Sequence, residues 1–209
     1  MKTLLLTAFE PFGGDARNAS LEVLRALPDA VGSFRLHKRV LPVEFGTAAR
    51  MAEAEARACD ARTVLCLGQA EGRPSLSVEA VGLNLRDARI PDNAGALPKD
   101  TPVIPGGPAA YFSTLPVKAL VEAVKGASVP VSLSYSAGVY VCNDLLYSLL
   151  HAFRDTDVRA GFIHVPCLTT QAKPGVPCLP PETVVRGVSA AIGALESCRD
   201  ALPAIGFFD

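Results

Sequence analysis

Short β-rich runs alternate with helical patterns along nearly the whole chain, and this alternation limits the fold more than any other feature. Residues 3–7, 34–41, 63–67, 76–80, 131–134 and 160–165 carry strand patterns, with alternating faces in 76–80. Residues 20–27, 44–58, 115–124, 143–153 and 181–197 carry apolar side chains at helical spacing, and the last begins with proline, which suits a first helical turn. The expectation is an α/β chain: a single three-layer αβα domain over residues 1–209 with a twisted, mostly parallel or mixed central sheet. A chain of 209 residues is long enough to bury a substantial core this way.

Composition removes several classes of function. With 49% hydrophobic and 20% charged residues, disorder is not expected. Twenty Lys and Arg against twenty-one Asp and Glu leave a net charge of −1, which offers no footprint for nucleic acid or an anionic membrane. The apolar run after Met1 is too short for a secretion signal, and no window approaches a membrane span, so a cytoplasmic protein is expected. Cys59, Cys66, Cys142, Cys167, Cys178 and Cys198 lie far apart without a CxxC pair and are expected to be mostly reduced and buried. With His37, His151 and His164 they form no metal-ligand pairs, so no metal is expected. Two long Pro- and Gly-rich segments, 86–108 and 167–181, are where function concentrates in a chain of this kind.

One cysteine stands apart. Cys142 follows a loop of small residues and precedes the apolar run Leu145, Leu146, Leu149 and Leu150. A helix start there would favour thiolate over thiol, and the amides of Cys142 and Asn143 could stabilise an oxyanion. The plainer alternative is a thiol that only packs. A nucleophilic thiol needs a base; His164 ends a buried strand pattern, where α/β sheets place their sites, whereas His151 is nine residues along the same helix and His37 sits among charges. Glu79 interrupts an uncharged segment, either as the carboxylate orienting that base or as a solvent-facing residue of an edge strand. In the opening loop, Phe9 and Phe12 flank a proline turn and could grip a flat, uncharged ring or plug the core edge.

Taken together, Phe9-Glu-Pro-Phe12-Gly-Gly14, Gly68-Gln69-Ala70 with Arg73, Glu79, Arg89-Ile90-Pro-Asp-Asn93, Ser136-Ala-Gly-Val-Tyr-Val-Cys142-Asn143 and Gly161-Phe-Ile-His164-Val-Pro166 resemble the pyroglutamyl peptidase I (pyrrolidone-carboxylate peptidase) family of cysteine peptidases. The resemblance implies an open αβα fold, no cofactor, and hydrolysis of the amide bond after an N-terminal pyroglutamyl residue, through a thioester. It implies Cys142 as nucleophile, His164 as general base and Glu79 as its orienting carboxylate. Phe9, Phe12, Ile90 and Val141 would wall the lactam, Gln69 would meet its polar edge, and Arg89 with Asn143 would serve the oxyanion or the scaffold. Peptides with N-terminal pyroglutamate would be the partners, with no nucleic acid or membrane, and the chain would assemble as a homodimer or homotetramer; whether Cys178 or Cys198 bridges subunits stays open. This chain has Ala8, Ala19 and Ala80 where relatives usually carry Gly, Pro and Arg, and the last removes a cation beside Glu79. The alternative from another class is a non-catalytic binder of pyroglutamyl ligands on the same fold; a nucleoside-handling enzyme of similar architecture fits less well, for want of a phosphate loop.

Overall fold

Strand β1 (Lys2–Phe9) is buried without a break from Leu4 to Phe9, a burial on both faces that only the interior of a covered sheet provides. The computed structural model describes residues 1–197. After β1 come helix α1 (Ala19–Ala26), strands β2 (Ala30–Val31) and β3 (Phe34–Leu41), helix α2 (Thr47–Ala58) and strands β4 (Thr63–Gln69), β5 (Leu76–Glu79), β6 (Val81–Leu83) and β7 (Ala110–Phe112). Helix α3 (Val117–Gly126), strand β8 (Val131–Ser134), helix α4 (Val141–Ala152), strands β9 (Arg159–Val165), β10 (Cys167–Leu168) and β11 (Cys178–Leu179) and helix α5 (Pro181–Gly193) complete the order.

Seven strands form the central sheet in the order β2-β3-β1-β4-β9-β5-β8. β3, β1, β4 and β9 run parallel, β5 pairs antiparallel to β9, β8 returns parallel to β5, and β2 is antiparallel to β3, so the sheet is mixed. The strand period of two divides its side chains between two cores. Leu4, Leu6, Leu65, Leu67, Leu76, Val78, Ile163 and Val165 pack with α1, α3 and α5. Leu5, Phe9, Val64, Cys66, Ala160 and Phe162 pack with α2 and α4. This is the three-layer α/β arrangement the alternation predicts. No helix among the described residues is long and apolar enough to cross a membrane.

Element limits shift for local reasons. The second helix starts at Thr47 rather than residue 44 because Gly46 sits at φ +69°, outside helical geometry. The fourth starts at Val141, so Cys142 lies within its first turn rather than before it. The last ends at Gly193, short of residue 197. Strand β5 lies between β9 and β8 and all four of its residues are buried, which overturns the edge-strand alternative for Glu79. The segment 86–108 is held without regular structure by an isolated Arg86–Thr101 bridge and by buried Asp92, whose carboxylate accepts from the amides of Phe45, Ala94 and Ala96.

Candidate active site

The two-residue period also sorts the chemistry. On β9, His164 follows Phe162 on the face toward α4; on β5, Glu79 and Ser77 alternate with Leu76 and Val78 and face the same way. Because β5 runs against β9 with Glu79 opposite Phe162, Glu79 lies diagonally across from His164. Their side chains meet: His164 Nδ1 and Glu79 Oε1 are 2.8 Å apart, with both residues buried. A carboxylate at Nδ1 fixes the tautomer so that Nδ1 donates and Nε2 is left to accept.

Cys142 reaches this corner through a glycine. Gly68 of β4 is the register partner of His164, and a β-carbon on it would stand 3.0 Å from Cys142 Sγ and 2.7 Å from the Phe162 ring. The sulfur therefore occupies the space beside Gly68, whose strand lies one spacing of roughly 4.8 Å from the His164 strand. Tyr140 caps α4 without a side-chain hydrogen bond, and the helical ladder begins with Asp144 N donating to Tyr140 O. The amides of Val141, Cys142 and Asn143 thus have no partner within the helix and point from its N-terminus.

Electrostatics differs from the expectation in one respect. Burial pushes the Cys142 thiol up to about 12, with Glu79 and Cys66 adding to the rise and Arg73 opposing it. Desolvation is the largest influence on this thiol and favours its protonated form at rest. Burial alone would also raise Glu79, but the hydrogen bond and charge of His164, with Arg73 beyond, hold its carboxyl below the usual range. Arg73 Nη1 donates to Glu79 Oε1 at 2.6 Å and Nη2 to Ser136 O at 3.2 Å. The cation that Ala80 does not provide thus arrives from Arg73, which the family motifs include but whose pairing with Glu79, six residues and a turn away, only the fold brings together.

The remaining candidates divide. Phe9, Phe12, Gln69 and Val141 line a narrow cleft of about 20 Å³ together with Cys142, joined by Asn18, Val43 and Tyr140, which the sequence reading did not single out. Tyr140 donates its hydroxyl to Pro91 O and stands 6.2 Å from Phe12, ring centre to ring centre. Gln69 uses its carbonyl to accept from Ala19 N at 2.6 Å, which ties the aromatic loop to the end of β4. Asn18 caps α1 through Ser20 N and donates to Glu10 O, fixing the same loop from its other end. Ile90 is 44% exposed and lies outside the cleft lining, 3.6 Å from where a β-carbon on Gly13 would be. Arg89 is exposed and has no hydrogen bond or ion pair among the described residues. Asn143 is buried, and its side chain bonds Leu83 N, Leu83 O and Leu85 O, a scaffold tie that leaves only its backbone amide for an oxyanion. Among the described residues no cluster of three His, Cys, Asp or Glu could hold a metal. Cys178 is a half-buried free thiol, and Cys198 lies outside the described residues.

Three comparisons bear on this geometry. The family model described as pyroglutamyl peptidase matches residues 1–197. A pyrrolidone-carboxylate peptidase of Escherichia fergusonii is 48% identical over 196 residues, covering 92% of each chain, and one of Cupriavidus necator is 47% identical with 95% of each covered. The crystal structure of pyroglutamyl peptidase I from Bacillus amyloliquefaciens superposes with a TM-score of 0.91 at 33% identity, covering 97% of this chain and all of that one. The pyrrolidone carboxyl peptidase of Thermococcus litoralis superposes at 0.89 with 33% identity and 93% of each chain covered.

Proposed function

The chain belongs to the pyroglutamyl peptidase family, and from that premise we propose that Cys142, His164 and Glu79 carry out the hydrolysis of the amide bond after an N-terminal pyroglutamyl residue. The observation that carries the assignment is the buried 2.8 Å contact between His164 and Glu79 on the face where Cys142 Sγ lies against Gly68. As the sulfur attacks the pyroglutamyl carbonyl, His164 Nε2 takes the thiol proton, because a thiol held near 12 has little thiolate of its own to offer. The carbonyl oxygen turns toward the amides of Cys142 and Asn143, where it gains the hydrogen bonds and positive helix end that a charged oxygen needs. The C–N bond then breaks and His164 returns the proton to the departing amine. Water deprotonated by His164 adds to the thioester, and pyroglutamate leaves as the thiol reforms. Glu79, ionised and charge-paired with Arg73, holds the imidazole in orientation and stabilises its cation throughout.

The lactam carries no charge at its amino end, which suits a cleft of Phe9, Phe12, Tyr140 and Val141 with amide groups at the rim. Because that cleft now has room for about one water, ring entry requires Phe12 and Tyr140 to separate. The reading includes residues 1–209 as one catalytic domain, a cytoplasmic location, a homodimer or homotetramer, and catalysis without metal.

Release of a chromogenic amine from a pyroglutamyl amide tests the assignment. Turnover is expected in the wild type, loss after iodoacetamide treatment, and at least a roughly 10³-fold loss in Cys142→Ala with an unchanged unfolding temperature. An inert wild-type protein that still binds pyroglutamate would favour the non-catalytic binder. Near-normal turnover in Cys142→Ala would remove the nucleophile assignment.

A further inference from the structure

Asp144 is a fully buried carboxylate two residues beyond Cys142, in the first turn of the helix that carries the sulfur. The mechanism gives it no role, and its position is costly. A negative charge near a helix start favours the helix but opposes a thiolate or an oxyanion formed at that same start. Its partners come from two distant segments. Arg86, in the segment after β6, donates Nε to Asp144 Oδ1 at 2.6 Å, with Nη2 at 2.5 Å from the same oxygen. The amide of Gly46, in the turn before α2, donates to Oδ2 at 2.7 Å. That turn also sets Phe45, whose ring meets Tyr140 edge-on at 5.3 Å while the Arg86 guanidinium stands 5.8 Å above it. One buried ion pair therefore joins the cysteine helix, the long irregular segment and the outer aromatic wall of the cleft.

We propose that Arg86 is a positioning residue for the peptidase reaction: by neutralising Asp144 it keeps the start of α4 able to accept negative charge, and through Phe45 it fixes Tyr140 over the cleft. The inference rests on the peptidase reading. Residues two apart on a helix project about 200° apart, so the Asp144 charge and the sulfur stand on the order of 10 Å from each other across the helix. At that range in a protein interior an uncompensated charge still shifts an ionisation by about half a pH unit or more. The other charged or titratable groups facing Cys142 are Tyr140 at the start of α4, Glu79 from β5, Cys66 from β4, Arg73 from the turn after β4 and His164 from β9; Asp92, from the 86–108 segment, faces Tyr140. Of these only Tyr140 meets Asp144, through a backbone hydrogen bond, so substituting the Arg86 and Asp144 side chains removes no bond to the others.

The test is the pH profile of kcat/KM for a pyroglutamyl amide in wild type, Arg86→Gln, Asp144→Asn and the double variant, with thermal unfolding recorded for each. Arg86→Gln removes the cation that opposes burial at Asp144, whose carboxyl desolvation already raises; it is expected to lower the optimum rate about tenfold and, where that carboxyl is ionised, to move the limbs to higher pH by about half a unit. Asp144→Asn, which leaves Arg86 alone, is expected to move both limbs to lower pH, and the double variant to return them to the wild-type position. Opposite shifts that cancel belong to charge at the site, since a scaffold role would change the unfolding temperature without displacing the limbs. Limbs that stay fixed in both Arg86→Gln and Asp144→Asn, each active and folded, overturn the proposal. Should Arg86→Gln not fold, Asp144→Asn decides alone, because the amide keeps the shape and can still accept from Gly46: a downward shift supports the proposal and a fixed profile overturns it. A wild-type protein without turnover would instead count against the peptidase reading itself.

Discussion

Gly68 shows how much a single residue decides. Any side chain there would run into Cys142 Sγ at 3.0 Å and the Phe162 ring at 2.7 Å, and Phe162 in turn packs against His164 with ring centres 4.7 Å apart. Gly68→Ala therefore presses on the proposed nucleophile and, through one ring, on the proposed base. Overpacking of this kind costs about 1–3 kcal/mol of stability. The activity loss is expected to be larger, at least about tenfold in kcat/KM, because a misplacement of several tenths of an ångström between thiol and imidazole enters the rate directly. Steady-state kinetics beside a thermal melt checks both parts, and a Gly68→Ala variant with unaltered kcat/KM would mean that Sγ does not rest against this strand during turnover.

Helix α4 shows how an element is aimed. Its inner face of Leu145, Leu146, Leu149 and Leu150 packs on the sheet, but apolar contact alone lets a helix slide, and the tie that stops it is Asn143. Three hydrogen bonds of 2.8 to 3.0 Å run from its side-chain amide to Leu83 and Leu85, so β6 holds the first turn in register. Asn143→Ala leaves the backbone groups of Leu83 and Leu85 without those partners and is expected to cost about 2–4 kcal/mol in denaturant unfolding. Because the backbone amide of residue 143 survives, turnover well below the melting range should fall much less than in Gly68→Ala; an equal fall would point to a direct part for the side chain. The same element marks the limit of what the sequence reveals. Helices and strands of four or more residues were legible, because Leu145 to Leu150 or Leu4 to Leu6 repeat with a period that burial imposes. Strands β2, β6, β7, β10 and β11, at two or three residues, are too short for any period to show. Cys142, His164 and Glu79 stood out as chemically odd residues in apolar settings. Arg86 and Asp144 did not, since charges paired across 58 residues look like any surface charge until the chain is folded; Arg73 entered with the family motifs, but its pairing with Glu79 did not.

At the scale of the whole molecule, buried ionisable groups around Cys142 set how stability responds to pH. Glu79 is held below the ordinary carboxylate range, so the unfolded chain binds its proton first as pH falls; the stability this group contributes is complete above about pH 4.3 and is lost as pH drops through its folded value. Cys66 behaves in the opposite sense. Burial raises it to about 12, so above about pH 8.5 the unfolded chain sheds a proton that the folded chain keeps, and stability falls with rising pH until the folded thiol also ionises. The free energy of unfolding should therefore be nearly level from about pH 5 to 8 and fall on both sides, with each group able to contribute a slope of at most about 1.4 kcal/mol per pH unit. Glu79→Gln is expected to reduce the fall on the acid side, and Cys66→Ala to reduce the alkaline fall by its own share while the similarly raised Cys142 keeps its part. Denaturant titrations of the three proteins at about pH 3, 6.5 and 10 measure this. If Cys66→Ala leaves the alkaline slope undiminished, the burial of that thiol behind the Cys142 sulfur is not what the protein experiences in solution, and the resting protonated state assigned to Cys142, which rests on the same desolvation, loses its support as well.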